Sequence, residues 1–125
     1  MKYIIDTHIL LWYLFDAEQL PENAKQVIEG DNEIYVSIAS LWEIAIKQSI
    51  GKLNIDKSIS QIEEQCKLDD IGILPISADD CESIKFLEKI HNDPFDRIII
   101  AKAKNEGYTI ITKDEKIKQY DVDTL

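Results

Sequence analysis

The sequence contains little positive charge. Lysine and arginine number 14 against 24 acidic residues, the formal net charge is −10 at pH 7, and Arg97 is the only arginine. A general nucleic-acid binder needs a basic surface to neutralise phosphates, so this composition argues against that class and against DNA binding by this chain alone. It favours a soluble chain that binds cations or a basic protein partner.

Long apolar runs and cysteines are also scarce. No run approaches the length of about 20 residues that crosses a bilayer, and the opening MKYIID passes directly into a strand pattern, without a signal peptide. We therefore expect a cytoplasmic protein without membrane contact. Cys66 and Cys81 have no metal-type spacing and are expected to be reduced. The length of 125 residues predicts a single domain, 1–125.

Strand-like and helix-like segments alternate along the chain. Short apolar or β-branched runs predict strands at 2–6, 33–37, 72–76 and 108–112, with a short edge strand near 122. Amphipathic or capped stretches predict helices at 8–15, 21–30, 38–50, 58–68, 77–90 and 94–106. Alternation of helices with strands that are apolar throughout indicates an α/β fold, in which a central, mainly parallel sheet of four to five strands has both faces covered.

The stretch HNDPFDRIII, residues 91–100, opens the last of these helices. Asp93 suits the N-cap, where a carboxylate accepts hydrogen bonds from free amides, and Pro94 suits the first helical position, where no N–H is needed. Asp96 then falls in the first turn, at the positive end of the helix dipole. Helix capping alone accounts for the stretch unless other parts of the chain place further acidic groups beside Asp96.

Three more acidic residues fall where parallel sheets bind ligands, at the carboxyl ends of the strands. Asp6 ends the first strand, Asp114 follows the last one, and Glu43 lies among apolar residues in the helix after the second. Each has an ordinary alternative: Asp6 and Asp114 as cap or turn residues, and Glu43 as the partner of Lys47 one turn later. Gathered with Asp96 in one crevice, however, these carboxylates repel one another unless a cation lies between them. Oxygen-only ligands suit Mg²⁺ or Mn²⁺.

The segments that contain these acids resemble a known family. The resemblance, to PIN-domain ribonucleases and most closely to the toxin subunits of VapBC-type toxin–antitoxin pairs, rests on DTHILLW, SIASLWEIAIKQSIGKL, HNDPFDRIIIAKA and TIITKD and covers essentially the whole chain. It implies a PIN-like three-layer α/β/α fold and a metal-dependent endoribonuclease that hydrolyses RNA to 5′-phosphate and 3′-hydroxyl ends. It also implies an acidic site for Mg²⁺ or Mn²⁺, formed by Asp6, Glu43, Asp96 and Asp114.

The same resemblance implies partners: RNA as substrate, a cognate antitoxin protein that keeps the chain inactive, and a second copy in a homodimer. The segment WYLF (12–15), Trp42 and the segment IKQSIGKL offer apolar surface to an antitoxin, although core packing is the simpler expectation for Trp42. Candidates for contact with RNA or for orienting water are Thr7, Lys47, Arg97, Thr112 and Lys113. Each of these has an alternative role, as a charge that balances a neighbouring acid or as an ordinary strand or turn residue.

Two other Mg²⁺-dependent α/β classes fit less well. A phospho-receiver domain needs an acidic pair after the first strand and an aspartate after the third, but IIDTHI supplies one acid and GILPIS none. A haloacid-dehalogenase-type phosphatase needs a second aspartate where His8 stands. A PIN-like module that binds RNA or protein without cutting it stays open. His8 and His91 form no triad with a serine or cysteine, and we interpret them as helix-start and loop residues.

Overall fold

The computed structural model describes residues 1–125 and contains four strands and six α-helices. The strands are β1 Lys2–Ile5, β2 Glu33–Ser37, β3 Ile71–Leu74 and β4 Thr109–Ile111. The helices are α1 Thr7–Leu14, α2 Glu22–Glu29, α3 Ile38–Ser49, α4 Ile59–Leu68, α5 Ala78–Ile84 and α6 Pro94–Glu106, followed by a short 3₁₀ turn, Ile117–Gln119. None of the helices is both long enough and apolar enough to cross a membrane.

The four strands form one parallel sheet in the order β3-β2-β1-β4. The chain moves outward from β1 to β2 and β3 on one side, and β4 then returns to the other side of β1. Residue Ile5 of β1 pairs with Val36 on one side and Ile111 on the other. The strand order therefore reverses between β1 and β4, and in open parallel sheets such a reversal leaves a crevice at the carboxyl ends.

Apolar side chains of the sheet pack into two cores, one on each face. Along β1, Tyr3 and Ile5 face one core and Ile4 faces the other, as the two-residue period of a strand requires. The first core is completed by buried residues of α1, α2, α3 and α4, and the second mainly by α6 and the residues around the 3₁₀ turn. The sequence-based prediction of a parallel α/β sheet between two helical layers is confirmed.

The predicted start of α6 is also confirmed. One carboxylate oxygen of Asp93 accepts hydrogen bonds from the backbone N–H groups of Phe95, at 2.8 Å, and Asp96, at 3.1 Å, and Pro94 is the first helical residue. The helix ends at Gly107, whose φ of 75° is in the left-handed region that favours glycine. These caps fix the orientation of α6, and with it the position of Asp96 in the first turn.

Three predicted boundaries were wrong. Helix α5 ends at Ile84 instead of continuing to about 90, because the guanidinium of Arg97 donates to the Ile84 carbonyl, at 3.1 Å, that a longer helix would use. Strand β3 ends at Leu74 because Pro75 follows and has no N–H for a sheet hydrogen bond. The expected edge strand near 122 is reduced to a single parallel bridge between Ile110 and Thr124.

Candidate metal centre

The four acidic residues predicted from the sequence lie around the crevice between β1 and β4, close enough for the charges of Asp6, Glu43 and Asp114 to act on Asp96. Of the four, Asp96 and Asp114 come within 4.8 Å of each other, together with His91. Asp6 directly follows β1, Asp114 follows β4, Glu43 lies in α3, and Asp96 lies in the first turn of α6. Burial raises the pKa of Asp96 to about 8, and the negative charges of Asp93, Asp6, Glu43 and Asp114 add to this effect. The side chain of Asp96 is only 17% exposed, so water screens these charges weakly.

Asp6 uses its two carboxylate oxygens differently. Oδ1 accepts a hydrogen bond from the backbone N–H of Ile9 at 2.9 Å and so caps α1, whereas Oδ2 accepts one from the hydroxyl of Thr112. Burial raises the pKa of Asp6, and these two hydrogen bonds partly oppose the rise. The capping role proposed as the ordinary alternative is therefore real, but it leaves the carboxylate at the edge of the crevice, oriented by Thr112.

The hydroxyl of Thr112 has a second contact, because it accepts the backbone N–H of Asp114 at 2.9 Å. We predict that a Thr112→Val variant binds Mn²⁺ about 10- to 100-fold more weakly, since a group that orients a metal ligand typically contributes that much to affinity. A Thr112→Ser variant keeps the hydroxyl and is the matched control, expected to bind nearly as well as the parent chain. Isothermal titration calorimetry distinguishes the two, and equal affinities for valine and serine would contradict the orienting role.

Glu43 is 3% exposed and fully hydrogen-bonded. Its Oε1 accepts the hydroxyl of Thr7 at 2.6 Å, and its Oε2 accepts the ammonium of Lys47 at 2.8 Å. The hydrogen bond to Glu43 is the main cause of a raised pKa at Lys47. The predicted alternative, an ion pair one helical turn apart, is thus present inside the acidic cluster, and Lys47 compensates part of the cluster's charge.

Asp114 also combines two contacts. Its Oδ1 caps the 3₁₀ turn by accepting the N–H groups of Lys116, at 2.8 Å, and Ile117, at 3.1 Å, and its Oδ2 lies 3.1 Å from Nε2 of His91. Burial acts to raise the pKa of Asp114, but the hydrogen bonds outweigh it and the pKa is lowered. Asp114 therefore stays ionised more readily than Asp96, which leaves the two carboxylates with different proton affinities.

His91 was missed by the sequence analysis, which interpreted it only as a loop residue. It does lie in a loop, but its Nε2 is 2.9 Å from Oδ2 of Asp96 and 3.1 Å from Oδ2 of Asp114. Its Nδ1 accepts the backbone N–H of Asp93 at 3.2 Å, so the ring proton lies on Nε2 and is directed at the two carboxylates. The ligand atoms of these three side chains lie within 4.8 Å of one another, the spacing of a metal site, and with its proton on Nε2 the His91 ring acts there as a donor to the two carboxylates. The only sequence signal was the position of His91 within HNDPFDR.

Arg97 does not point freely into the crevice. Its Nη1 donates to the carbonyls of Glu88, at 3.0 Å, and His91, at 3.2 Å, and to the hydroxyl of Tyr120, at 3.3 Å, while Nη2 donates to the carbonyl of Ile84. The guanidinium thus fixes the loop between α5 and α6, which contains His91. These contacts favour a role for Arg97 within the protein, in holding this loop. Contact between Arg97 and RNA stays a prediction.

These contacts predict a stability effect for Arg97. An Arg97→Lys variant should lower the free energy of unfolding by about 1–3 kcal/mol, because an ammonium cannot reproduce the planar fork of donors. Lys104→Gln is the control, since Lys104 is exposed on the same helix without an ion pair or hydrogen bond and should leave stability unchanged. Urea denaturation measures both variants. Unchanged stability in Arg97→Lys, together with weaker RNA binding, would assign the residue to the substrate instead.

The remaining candidates are more exposed. Lys113 is exposed beside Asp114 and forms no ion pair or hydrogen bond. Trp42 was expected in the core, and that expectation was wrong: its side chain is 60% exposed, and its ring packs edge-on against Phe95 at 5.2 Å. The helix α3 turns this side toward solvent because its opposite side buries Leu41 and Ile44.

A larger cavity lies elsewhere on the protein. It has a volume of about 630 Å³, lies between α5 and α6, and includes none of the four acids. The ammonium of Lys102, on its wall, is already neutralised by Asp80 at 2.8 Å and Glu106 at 2.6 Å. The only cation on the cavity wall is therefore already paired, and the remaining charges there are negative, so the acidic crevice is the better candidate site.

Comparisons with known proteins all indicate the same family. The profile described as PIN domain matches residues 3–123. Ribonuclease VapC22 of Mycobacterium tuberculosis (strain ATCC 25618 / H37Rv) is 25% identical in an alignment of 121 residues that covers 94% of this chain and 90% of the relative. The match therefore includes all four elements that position the acids.

Solved structures share the fold at lower identity. VapBC-1 from nontypeable Haemophilus influenzae matches with a TM-score of 0.70 and 24% identity, covering 100% of this chain and 97% of that one. VapBC2 from Rickettsia felis, bound to a DNA fragment from its promoter, matches with a TM-score of 0.70 and 19% identity, covering 100% and 98%. At these identities the likeness shows a common fold.

Proposed function

This chain belongs to the PIN domain family, and from that premise we propose that it is a divalent-metal-dependent endoribonuclease. The observation that supports the proposal most directly is the convergence of Asp6, Glu43, Asp96 and Asp114 on one crevice, where their mutual repulsion helps raise the pKa of Asp96 to about 8. A purely structural cluster would be expected to pair each acid with its own cation, but here Lys47 pairs with Glu43, Asp96 and Asp114 share the single ring of His91, and Asp6 has no basic partner. The remaining charge is best compensated by a bound metal ion.

The donor set fits a hard divalent cation. Asp6, Asp96 and Asp114 would hold Mg²⁺ or Mn²⁺ with carboxylate oxygens, and Glu43, whose oxygens already accept Thr7 and Lys47, would act directly or through water. When bound, such a cation makes water more acidic and withdraws charge from the phosphate under attack. The chain's own residues orient this site: Thr112 holds Asp6, and His91 holds Asp96 and Asp114.

Cleavage of RNA tests this proposal. Total cellular RNA is incubated with the purified chain, without a partner, in Mg²⁺ or Mn²⁺ and in chelator. We expect discrete fragments with 5′-phosphate and 3′-hydroxyl ends that require the metal. Metal binding without cleavage of a broad RNA pool would favour the alternative, a PIN-like module that binds RNA or protein without cutting it.

The biological role that we propose is the toxin of a toxin–antitoxin pair, in the cytoplasm. The named relative is a VapC ribonuclease, and the two solved structures named above are of VapBC proteins. Helix α3 offers apolar surface for an antitoxin or for a second copy in a homodimer, because Ile38, Trp42, Ile46 and Ile50 recur every four residues and are all exposed. Expression of the chain alone in a bacterial host should stop growth, and the Asp6→Asn variant should not.

A further inference from the structure

A second cavity adjoins the acidic crevice. It has a volume of about 190 Å³ and is lined by Asp6, His8, Trp12, Lys113 and Asp114. Two of these residues belong to the candidate metal centre, so any group in the cavity lies next to that centre. The other three residues are aromatic or cationic, which is a different chemistry from the acids.

The geometry points to a nucleotide subsite: this cavity holds one nucleobase of a single-stranded RNA against Trp12, and Lys113 contacts a phosphate beside the one that is cut. The inference rests on the proposed function, because it describes how the RNA substrate of that same site is held. It adds Trp12 and His8, which neither the acidic motif nor the comparisons assign, to the substrate-binding residues.

The aromatic wall of the cavity is suited to a base. Trp12 is partly buried and packs against the core beneath α1, while its ring also lines the cavity. The ring of His8 lies one helical turn away, with its centroid 5.7 Å from that of Trp12 at a tilt of 40°. His8 is exposed and forms no hydrogen bond or ion pair, so its ring is available. Proteins that bind single-stranded RNA typically stack unpaired bases on such rings.

The charges around the cavity favour a base over an anion alone. An inorganic phosphate or a carboxylate in it would meet Asp6 and Asp114 and have only Lys113 as a compensating cation. A neutral, planar base incurs no such repulsion, and its amino groups can donate to carboxylate oxygens. Lys113 has no ion pair within the protein, so its ammonium remains free for the phosphate that follows or precedes the base.

The volume limits the occupant to a small group. A cavity of about 190 Å³ is below the usual size of drug-sized ligand sites, roughly 300 Å³ or more. One base fits such a space and a longer segment does not. The backbone on either side of that base must then run along the crevice, past the carboxylates and their cation. The main competing occupant is an apolar side chain of a protein partner, which would use the ring of Trp12 but not Lys113.

Tryptophan fluorescence tests the stacking directly. The chain contains two tryptophans, Trp12 and Trp42, so Trp42→Phe leaves Trp12 as the only one. A pool of short single-stranded oligoribonucleotides of randomised sequence is titrated in Ca²⁺, and binding is followed independently by the anisotropy of a label on the RNA. We expect the emission of Trp12 to be quenched with the same midpoint as the anisotropy change.

Affinity measurements on variants give a second readout. Trp12→Ala should bind the RNA pool about 5- to 100-fold more weakly, the usual effect of removing one stacked base contact. Tyr13→Ala is the matched control, because Tyr13 is the next aromatic residue of α1, is also partly buried and does not line the cavity. In Lys113→Gln, the slope of log affinity against log salt concentration should become less steep by about 0.7, the contribution of one phosphate contact on a single strand.

The outcomes separate this inference from the proposed function. RNA that is bound and cut while Trp12 fluorescence and the affinity of Trp12→Ala stay unchanged would overturn the subsite and leave the nuclease intact. The same result would favour a protein partner, and not RNA, as the group that contacts Trp12. Absence of both binding and cleavage in the parent chain would overturn the subsite and the nuclease together. Equal losses of RNA affinity in Trp12→Ala and Tyr13→Ala, without quenching of Trp12, would also overturn the subsite. They would show that both substitutions weaken binding by disturbing the packing of α1.

Discussion

An Asp6→Asn variant will lose RNA cleavage by more than about 100-fold while it keeps the fold, because loss of a direct metal ligand should exceed the 10- to 100-fold effect of a residue that only orients one. Asparagine has the shape of aspartate and is an equally good N-cap, so it can still accept the N–H of Ile9 and start α1. It removes the negative charge and replaces the oxygen that accepts the Thr112 hydroxyl by an amide N–H donor. Activity and Mn²⁺ affinity are measured together, with circular dichroism to verify the fold.

The matched control is Asp93→Asn, which makes the same change at the N-cap of α6. Asp93 borders the same crevice, but its Oδ1 is occupied by the N–H groups of Phe95 and Asp96. We expect this variant to retain most of its activity. Equal losses in the two variants would mean that the total negative charge around the crevice, and not a direct metal contact of Asp6, determines activity.

The second large effect concerns stability and pH in the absence of metal. Asp96 has a pKa of about 8 in the folded chain and an ordinary value of 3.8 when unfolded. Between about pH 4 and pH 8 the folded chain therefore keeps a proton that the unfolded chain has lost. Because the folded state binds more protons, the free energy of unfolding falls as pH rises through this window. The raised pKa of Asp6 acts in the same direction.

Each pH unit in that window corresponds to at most about 1.4 kcal/mol for one group. Allowing for the partial exposure of Asp96, we expect a total loss of about 3 kcal/mol between pH 5 and pH 8 in chelator. An Asp96→Asn variant should lose much less over the same range, and Asp31→Asn, at an exposed position, should follow the parent chain. The lowered pKa of Asp114 makes the free energy of unfolding rise with pH instead, but only at pH values near and below its ordinary pKa of 3.8, outside this window.

Urea denaturation at several pH values in chelator measures this effect. Addition of Mn²⁺ should restore stability, and more at pH 8 than at pH 5, because the cation binds the ionised carboxylates of the folded state. Parallel stability profiles for the parent chain and Asp96→Asn would show that Asp96 keeps an ordinary pKa. The acidic cluster would then have no need of a cation.

Most helix and strand positions were predictable because local patterns agree with the tertiary structure. The caps of α6, with Asp93, Pro94 and Gly107 in their expected positions, are confirmed in detail. The predicted end of α5 was wrong because a remote group, the guanidinium of Arg97, competes for the carbonyl of Ile84. A contact between residues that are distant in sequence leaves no mark on the periodicity of either segment.

The acidic site was likewise predictable in part: the sequence located its carboxylates, but not all of their partners. The sequence placed Asp6 and Asp114 at strand ends, and the parallel sheet then brought those ends together, as its strand order requires. It assigned no role to His91, whose contact with Asp96 and Asp114 depends on the path of a loop held by Arg97 and Tyr120. It also placed Trp42 in the core, because an apolar residue in an apolar helix has no local signal for which side faces solvent.

The sequence by itself determined the α/β class, the parallel sheet and the four carboxylates, because burial, capping and strand periodicity are properties of neighbouring residues. Only the tertiary structure decided how those carboxylates are used. It divides the oxygens of Asp6 between a helix cap and Thr112, pairs Glu43 with Thr7 and Lys47, and directs His91 at two acids. Proton affinities depend on the burial and the charges that packing supplies, and so does the cavity beside Trp12.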